Sequence, residues 1–119
     1  MLSREQNEIL CKTGPGTPCG EWLRRYWQPV ALSSEVTAGG KPHQIKVMGE
    51  DLVLFRDDRG HPGLLGLHCS HRLTSLAYGR VEDCGIRCPF HGWLYDTEGK
   101  CLEQPAEPGC PDKNFRHLA

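Results

Sequence analysis

Two short segments of the chain carry residue types that bind metals through sulfur and nitrogen. The first contains Cys69 and His71 in a Cys-x-His spacing, and the second contains Cys88 and His91 in a Cys-x2-His spacing. Thiolates and imidazoles are favoured ligands for zinc and iron. Glycines flank both segments, which indicates loop tips. The sequence therefore predicts a metal centre built by two loops, each supplying one thiolate and one imidazole.

Each loop mixes one cysteine with one histidine, and this distinguishes an iron–sulfur centre from a zinc site. A Rieske [2Fe–2S] centre uses two cysteines on one iron and two histidines on the other. Zinc fingers and ribbons usually pair cysteine with cysteine and histidine with histidine, so a zinc-stabilised interaction module is the lesser alternative. Two thiolates leave a cluster less anionic than four, which raises its reduction potential to roughly −150 mV or above. The pattern favours one-electron transfer, with the second imidazole nitrogen available to a proton or a redox partner.

Composition narrows the class of protein. The 119 residues include 14 Lys+Arg and 15 Asp+Glu, a net charge of −1, which excludes a strongly basic nucleic-acid-binding domain and gives no membrane-attracting patch. The charged N-terminus is unlike a signal peptide, so we expect a cytoplasmic protein with reduced cysteines. We expect the residues outside the two motifs to be free thiols or non-ligands: Cys11, Cys19, Cys84, Cys101, Cys110, His43, His61, His68 and His117.

Turn residues divide the chain into an N-terminal arm and a β-rich domain. In the arm, residues 1–27, we predict a helix over 4–12 and a second one from Pro18 to Tyr26, capped by Thr17. Residues 28–119 contain short strands between turns, and the chain has 14 glycines and nine prolines. We predict an all-β fold, a small antiparallel barrel or sandwich with a cluster-binding subdomain at one end. Strands are expected at 30–32, 44–48, 52–55, 63–67, 79–82, 86–87, 94–96 and 100–102.

A known family shares these motifs. The segment from Leu67 to Trp93, with both ligand motifs, resembles the Rieske domain of aromatic-ring-hydroxylating oxygenase large (alpha) subunits. Residues 13–30 resemble the opening of the phthalate-dioxygenase-like branch. The resemblance implies a [2Fe–2S] cluster with Cys69 and Cys88 on one iron and His71 and His91 on the other. It also implies a redox partner, either a reductase or an oxygenase component.

Details within the motifs indicate the subtype. Respiratory Rieske proteins resemble this pattern but carry extra cysteines, joined by a disulfide, and a serine after the His-Gly pair. Here Phe90 precedes His91, and Trp93 stands in place of that serine. The resemblance therefore implies a low-potential, oxygenase-type centre. Arg72, Trp93 and Tyr95 are the residues that we expect to surround the ligands.

A complete oxygenase site is not found in the sequence. Oxygenase large subunits of this family also hold a mononuclear iron through two histidines and a carboxylate. The nearest match is Asp58-x2-His61, within a predicted turn, and it does not fit that motif. We therefore predict no catalytic residues and an electron-carrying oxidoreductase component. The alternative is the N-terminal Rieske piece of a ring-hydroxylating or O-demethylating oxygenase.

The C-terminal segment supports one further expectation. Family members continue past a segment like residues 115–119 into another strand. We therefore expect the domain to lack its closing C-terminal strand. An exposed sheet edge would favour pairing with a second copy, so a homo-oligomer is also expected.

Overall fold

Two antiparallel sheets follow two short helices in the computed structural model, which describes residues 1–105. The first sheet has the order β1-β2-β3 and the second the order β4-β5-β6-β7. This confirms the predicted all-β class, with sandwich-like sheets. The elements are α1 (Arg4–Cys11), α2 (Pro18–Leu23), β1 (His43–Val47), β2 (Glu50–Arg56), β3 (Pro62–Gly66), β4 (Arg80–Glu82), β5 (Gly85–Arg87), β6 (Leu94–Asp96) and β7 (Cys101–Glu103).

Both helices of the arm begin at residues that cap them. Ser3 and Gln6 form a capping box at the start of α1. Thr17 accepts a hydrogen bond from the Gly20 N–H, and Pro18 occupies the first turn of α2. The two predicted helices are therefore confirmed, although the second ends at Leu23 and not at Tyr26.

One arginine ties the arm to the first sheet. Arg24 donates to the Met48 carbonyl oxygen at 3.1 Å and to Glu50 Oε2 at 2.8 Å. These acceptors lie at the turn between β1 and β2, where Met48 and Gly49 have φ values of 47° and 80°. Positive φ at both central residues is the signature of a two-residue type I′ hairpin. The strands predicted at 44–48 and 52–55 therefore pair as a hairpin, and its turn, at residues 48–49, lies slightly before the predicted gap at 49–51.

The strand predicted at residues 30–32 is wrong. Pro29 has no N–H to donate to a neighbouring strand. The Leu32 N–H donates to Glu35 Oε2 at 2.8 Å. That local bond begins a 3₁₀ turn over Ser33–Glu35, and Leu32 is exposed. The backbone of this segment therefore caps the 3₁₀ turn. Within residues 1–105, the segment does not pair with a neighbouring strand.

A single apolar core joins the two sheets and the loops between them. Val53, Phe55 and Leu65 come from the first sheet, and Ile86 and Tyr95 from the second. The same cluster contains Leu67, Cys69, Leu76, Cys88, Trp93 and Cys101. Both metal-ligating cysteines predicted from the sequence therefore belong to the core that holds the domain together.

The second sheet depends on a close approach of two backbones. A Cβ atom at Gly85 on β5 would collide with the Tyr95 carbonyl oxygen on β6. Any larger residue would push these strands apart, and they carry the two ends of the second ligand loop.

Some predictions fall outside the described residues. The predicted absence of a closing strand, Cys110 and His117 all lie in residues 106–119. The boundary between arm and domain stays a prediction. Within residues 1–105, no helix has both the length and the apolar character that spanning a bilayer requires.

Candidate metal centre

The first ligand loop follows β3 and is closed by backbone hydrogen bonds. The Cys69 N–H donates to the Thr74 carbonyl oxygen at 2.8 Å, and the Leu73 N–H donates to the Cys69 carbonyl oxygen at 2.9 Å. Leu73 adopts a left-handed conformation, with φ of 57°, to complete this turn. A bridge between His68 and Ser75 closes the base of the loop. These bonds direct the Cys69 side chain into the core, where only 1% of the residue is exposed.

The second ligand loop connects β5 to β6 in a similar way. The Cys88 N–H donates to the Trp93 carbonyl oxygen at 2.8 Å, and the Gly92 N–H donates to the Cys88 carbonyl oxygen at 3.2 Å. Gly92 has φ of 77°, which a residue with a side chain adopts only at a cost. The turn buries Cys88 and leaves His91 exposed.

The two cysteines meet at the inner end of the loops. Both side chains belong to the same buried apolar cluster. Burial raises the pKa of the Cys88 thiol, and backbone N–H groups of Phe90 and His91 directed at its sulfur partly offset that rise. A thiolate at this depth requires a cation to stabilise it, and an iron ion supplies that charge.

The two histidines lie side by side at the outer end. The ring centroids of His71 and His91 are 4.7 Å apart. Trp93 stacks on His71 with a centroid distance of 4.5 Å and an interplanar angle of 1°. Phe90 contacts His91 at a centroid distance of 3.8 Å. Aromatic contacts therefore orient both imidazoles, and the predicted contact between Trp93 and the ligand set is present.

The donors are arranged as two pairs. Cys69 and Cys88 are both buried in the core cluster, and His71 and His91 lie with ring centroids 4.7 Å apart. A structural zinc needs four donors around one ion, whereas each iron of a Rieske cluster takes two protein ligands. A thiol pair inside and an imidazole pair outside therefore fit a two-iron cluster.

Tyr95, on β6, contacts the first ligand loop through its hydroxyl group. The Tyr95 oxygen is 3.2 Å from Cys69 Sγ and 2.9 Å from Ser70 Oγ. Burial, together with the adjacent Cys69, raises the pKa of the Tyr95 phenol, so the phenol keeps its proton. It can therefore donate to a thiolate at Cys69. Arg72, the third residue expected near the ligands, is exposed on the first loop.

Sequence reasoning missed Arg87, which is bonded to the second loop. Its Nη1 donates to the Gly92 carbonyl oxygen at 2.7 Å. Its Nε and Nη2 donate to the two oxygens of Glu82 at 2.8 and 2.9 Å, and Nη2 also reaches Glu103 Oε2 at 2.8 Å. Hydrogen bonds from Arg87 and Arg80 lower the pKa of Glu82 to about 2. The opposite charges of Glu82 and Arg87, on either side of a short hairpin turn, were the signal available in the sequence.

The histidines expected to be non-ligands within residues 1–105 lie elsewhere. His61 is exposed, and its Nδ1 is 3.2 Å from the buried Asp57 carboxylate. His43 is exposed on β1, and His68 is exposed at the base of the first loop. Cys101 shares the core with Cys69, and burial raises the pKa of its thiol.

Comparison with known proteins agrees with this geometry. The Rieske [2Fe-2S] domain family matches residues 26–114. The phenoxybenzoate dioxygenase subunit alpha of Ectopseudomonas oleovorans is 60% identical over 99 residues, which are 83% of this chain and 24% of that protein. The phthalate 4,5-dioxygenase oxygenase subunit of Pseudomonas putida is 44% identical over 122 residues, covering 100% of this chain and 28% of that protein.

Structural similarity points the same way. The crystal structure of dicamba monooxygenase bound to dicamba superimposes with a TM-score of 0.68 at 29% identity, over 79% of this chain and 30% of that one. The chain thus spans about a quarter of the length of the curated relatives that it matches. The chain belongs to the Rieske [2Fe–2S] domain family, in the phthalate-dioxygenase-like branch of oxygenase large subunits, and its cofactor is a Rieske-type [2Fe–2S] cluster.

Proposed function

We propose that Cys69 and Cys88 hold the inner iron of the cluster and that His71 and His91 hold the outer one. The observation that carries this assignment is the separation of the donors by depth. Both cysteines are almost completely buried, and the imidazole pair lies at the outer end with ring centroids 4.7 Å apart. One ring nitrogen of each histidine would bind iron, and the ring of His91 is exposed to solvent.

The function that these residues support is one-electron transfer. When bound, the cluster accepts and returns one electron at a time. The core excludes water from the cysteine side, and His91 offers an exposed route for electrons at the other side. Leu73 and Phe90, 72% and 59% exposed, flank the histidines and provide apolar contacts for a redox partner. That partner is a reductase or another component of an oxygenase system.

A second candidate function places this domain within a larger enzyme. The chain spans 24% and 28% of two oxygenase subunits that it matches. Under this candidate, the chain is the Rieske part of a ring-hydroxylating or O-demethylating oxygenase and passes electrons to a mononuclear iron held by other residues of that protein. Residues 1–105 contain no trio of His and carboxylate ligands for that second iron.

We also propose a cytoplasmic location. None of the six cysteines within residues 1–105 is placed in a disulfide, the state that a reducing compartment maintains. Cell fractionation with thiol labelling of the four cysteines outside the ligand set, Cys11, Cys19, Cys84 and Cys101, tests this. Recovery from an oxidising compartment with these four resistant to labelling would contradict it.

Metal analysis of an anaerobically purified chain tests the ligand assignment. We expect about two irons and about two labile sulfides per chain, with a [2Fe–2S] electron paramagnetic resonance (EPR) signal after reduction. Cys88→Ser removes a thiolate ligand and should abolish the cluster. Cys84→Ser, in the turn before β5, is the matched control and should keep it. A colourless protein with one tightly bound zinc would refute the assignment.

A further inference from the structure

Arg87 occupies the last position of β5, directly before Cys88, and its guanidinium turns back over the second ligand loop. It donates to the carbonyl oxygen of Gly92, the residue after His91, at 2.7 Å. That carbonyl belongs to the left-handed turn that reverses the chain into β6. Arg87 precedes the first residue of the loop in the chain, and its guanidinium contacts the loop backbone at the opposite end, at Gly92.

Two carboxylates hold the guanidinium in this position. Glu82 on β4 accepts from Nε at 2.8 Å and from Nη2 at 2.9 Å, a two-bond fork that fixes the plane of the group. Glu103 on β7 accepts from Nη2 at 2.8 Å. The side chains of Arg87 and Glu82 are 21% and 23% exposed, so the bonds between them compete with little solvent, whereas Glu103 is exposed. The second ligand loop is thereby braced against both outer strands of the sheet.

We propose that Arg87 is a positioning residue that holds the loop from Cys88 to Gly92 in the geometry needed to bind and retain the cluster. The inference rests on the proposed ligand roles of Cys88 and His91. Without the bond from Arg87, the loop keeps its own short hydrogen bonds, between Cys88 and Trp93 and between Gly92 and Cys88, but loses its connection through the guanidinium to β4 and β7. The His91 end can then open toward solvent, and the outer iron becomes accessible to competing ligands.

Arg80 provides a matched control on the same sheet. It has the same charge and also donates to Glu82 Oε1, at 2.6 Å through Nη2, but its side chain is 76% exposed. Within residues 1–105, its hydrogen bonds reach Glu82 and not the ligand loop. Replacing either arginine with methionine removes one positive charge and two hydrogen bonds to Glu82. Only Arg87→Met also removes the donors to Gly92 and Glu103.

The experiment compares the full chains of wild type, Arg87→Met and Arg80→Met, each carrying its cluster. The first measurement is the rate at which visible absorbance is lost in excess chelator, and the second is the EPR spectrum after reduction. We expect the cluster of Arg87→Met to be lost on the order of tenfold faster than wild type, because a charge-assisted hydrogen bond is removed. We also expect a broadened EPR spectrum, since the imidazole orientation becomes heterogeneous. Arg80→Met should match wild type in both measurements.

The outcomes separate this inference from the proposed function. Wild-type protein without a [2Fe–2S] cluster would overturn the ligand assignment and this inference together. A loaded wild type with equal loss rates and equal spectra for the two arginine variants would overturn the role of Arg87 alone. If Arg87→Met does not fold, Glu82→Gln decides, because it loosens the guanidinium while keeping the side-chain shape. Faster cluster loss than wild type then supports the role, and an unchanged rate overturns it.

Discussion

Replacing Tyr95 with phenylalanine removes one hydroxyl group from beside the cluster and keeps the aromatic ring in the core. That hydroxyl is 3.2 Å from Cys69 Sγ and 2.9 Å from Ser70 Oγ. With Cys69 as a thiolate, Tyr95 must be the donor to its sulfur, and the Ser70 hydroxyl can donate to Tyr95 in turn. The variant therefore removes a bond that stabilises negative charge on a cluster ligand.

The bond strengthens when an electron is added, because the sulfur then carries more negative charge. Hydrogen bonds to charged groups are worth about 1.5–3 kcal/mol. If reduction adds about 1 kcal/mol to this bond, the reduction potential falls by about 40 mV on its loss, since a tenfold change in a one-electron equilibrium corresponds to about 59 mV. We expect Tyr95→Phe to have a lower potential than wild type by this amount.

Redox titration followed by visible absorbance or EPR measures the difference. Tyr78→Phe is the matched control, because it removes the same group from a side chain that is 80% exposed, and its potential should not change. A potential for Tyr95→Phe that equals or exceeds that of wild type would refute the reasoning, provided that both variants hold the same amount of iron.

Three further predictions concern a ligand, an ion pair and catalysis. His91→Cys should retain some cluster but titrate at a lower potential, because a thiolate replaces a neutral imidazole; an equal or higher potential would contradict the ligand role. The pKa of Glu82 is about 2 when folded and 4.5 ordinarily. The shift corresponds to roughly 3 kcal/mol, which solvent screening reduces to about 2 kcal/mol; this stabilisation is complete above pH 4.5 and lost as the pH falls toward 2. Denaturant unfolding should show Glu82→Gln less stable than wild type at pH 7, by a difference that narrows in acid; a constant difference would argue against this linkage. The 119-residue chain should accept electrons from a reductase and oxidise no aromatic substrate in a product assay, and oxidation with a second bound iron would show an overlooked site.

The features predicted most accurately from the sequence depend on short stretches of chain. Residues 83–84 and 97–99 form the turns of two hairpins. The strands predicted on either side, at 79–82 and 86–87 and at 94–96 and 100–102, are present, because turn residues separate them. The two ligand loops are also closed by local contacts, because the backbone hydrogen bonds that shape them lie within Cys69–Thr74 and Cys88–Trp93. Their geometry therefore follows from local sequence.

The features that were missed depend on side-chain hydrogen bonds, one between near neighbours and one between distant residues. The apolar run of residues 30–32 resembles a strand, but the side chain of Glu35, three residues beyond Leu32, accepts from the Leu32 N–H. Arg87 looks like an ordinary surface charge until β4, β7 and the second loop are brought around it. Strand propensity takes no account of the first bond, and the sequence around Arg87 contains no information about Glu103.

The cysteines placed in the core have a consequence for the abundance of this protein in a cell. A chain that has not received iron keeps two unlinked thiols in its core and lacks the cross-link that would join its two loops. Such a chain opens more often and is degraded faster, because proteases act on the opened state. We therefore expect the steady-state level of the protein to follow the supply of iron and sulfide, even when its synthesis is constant.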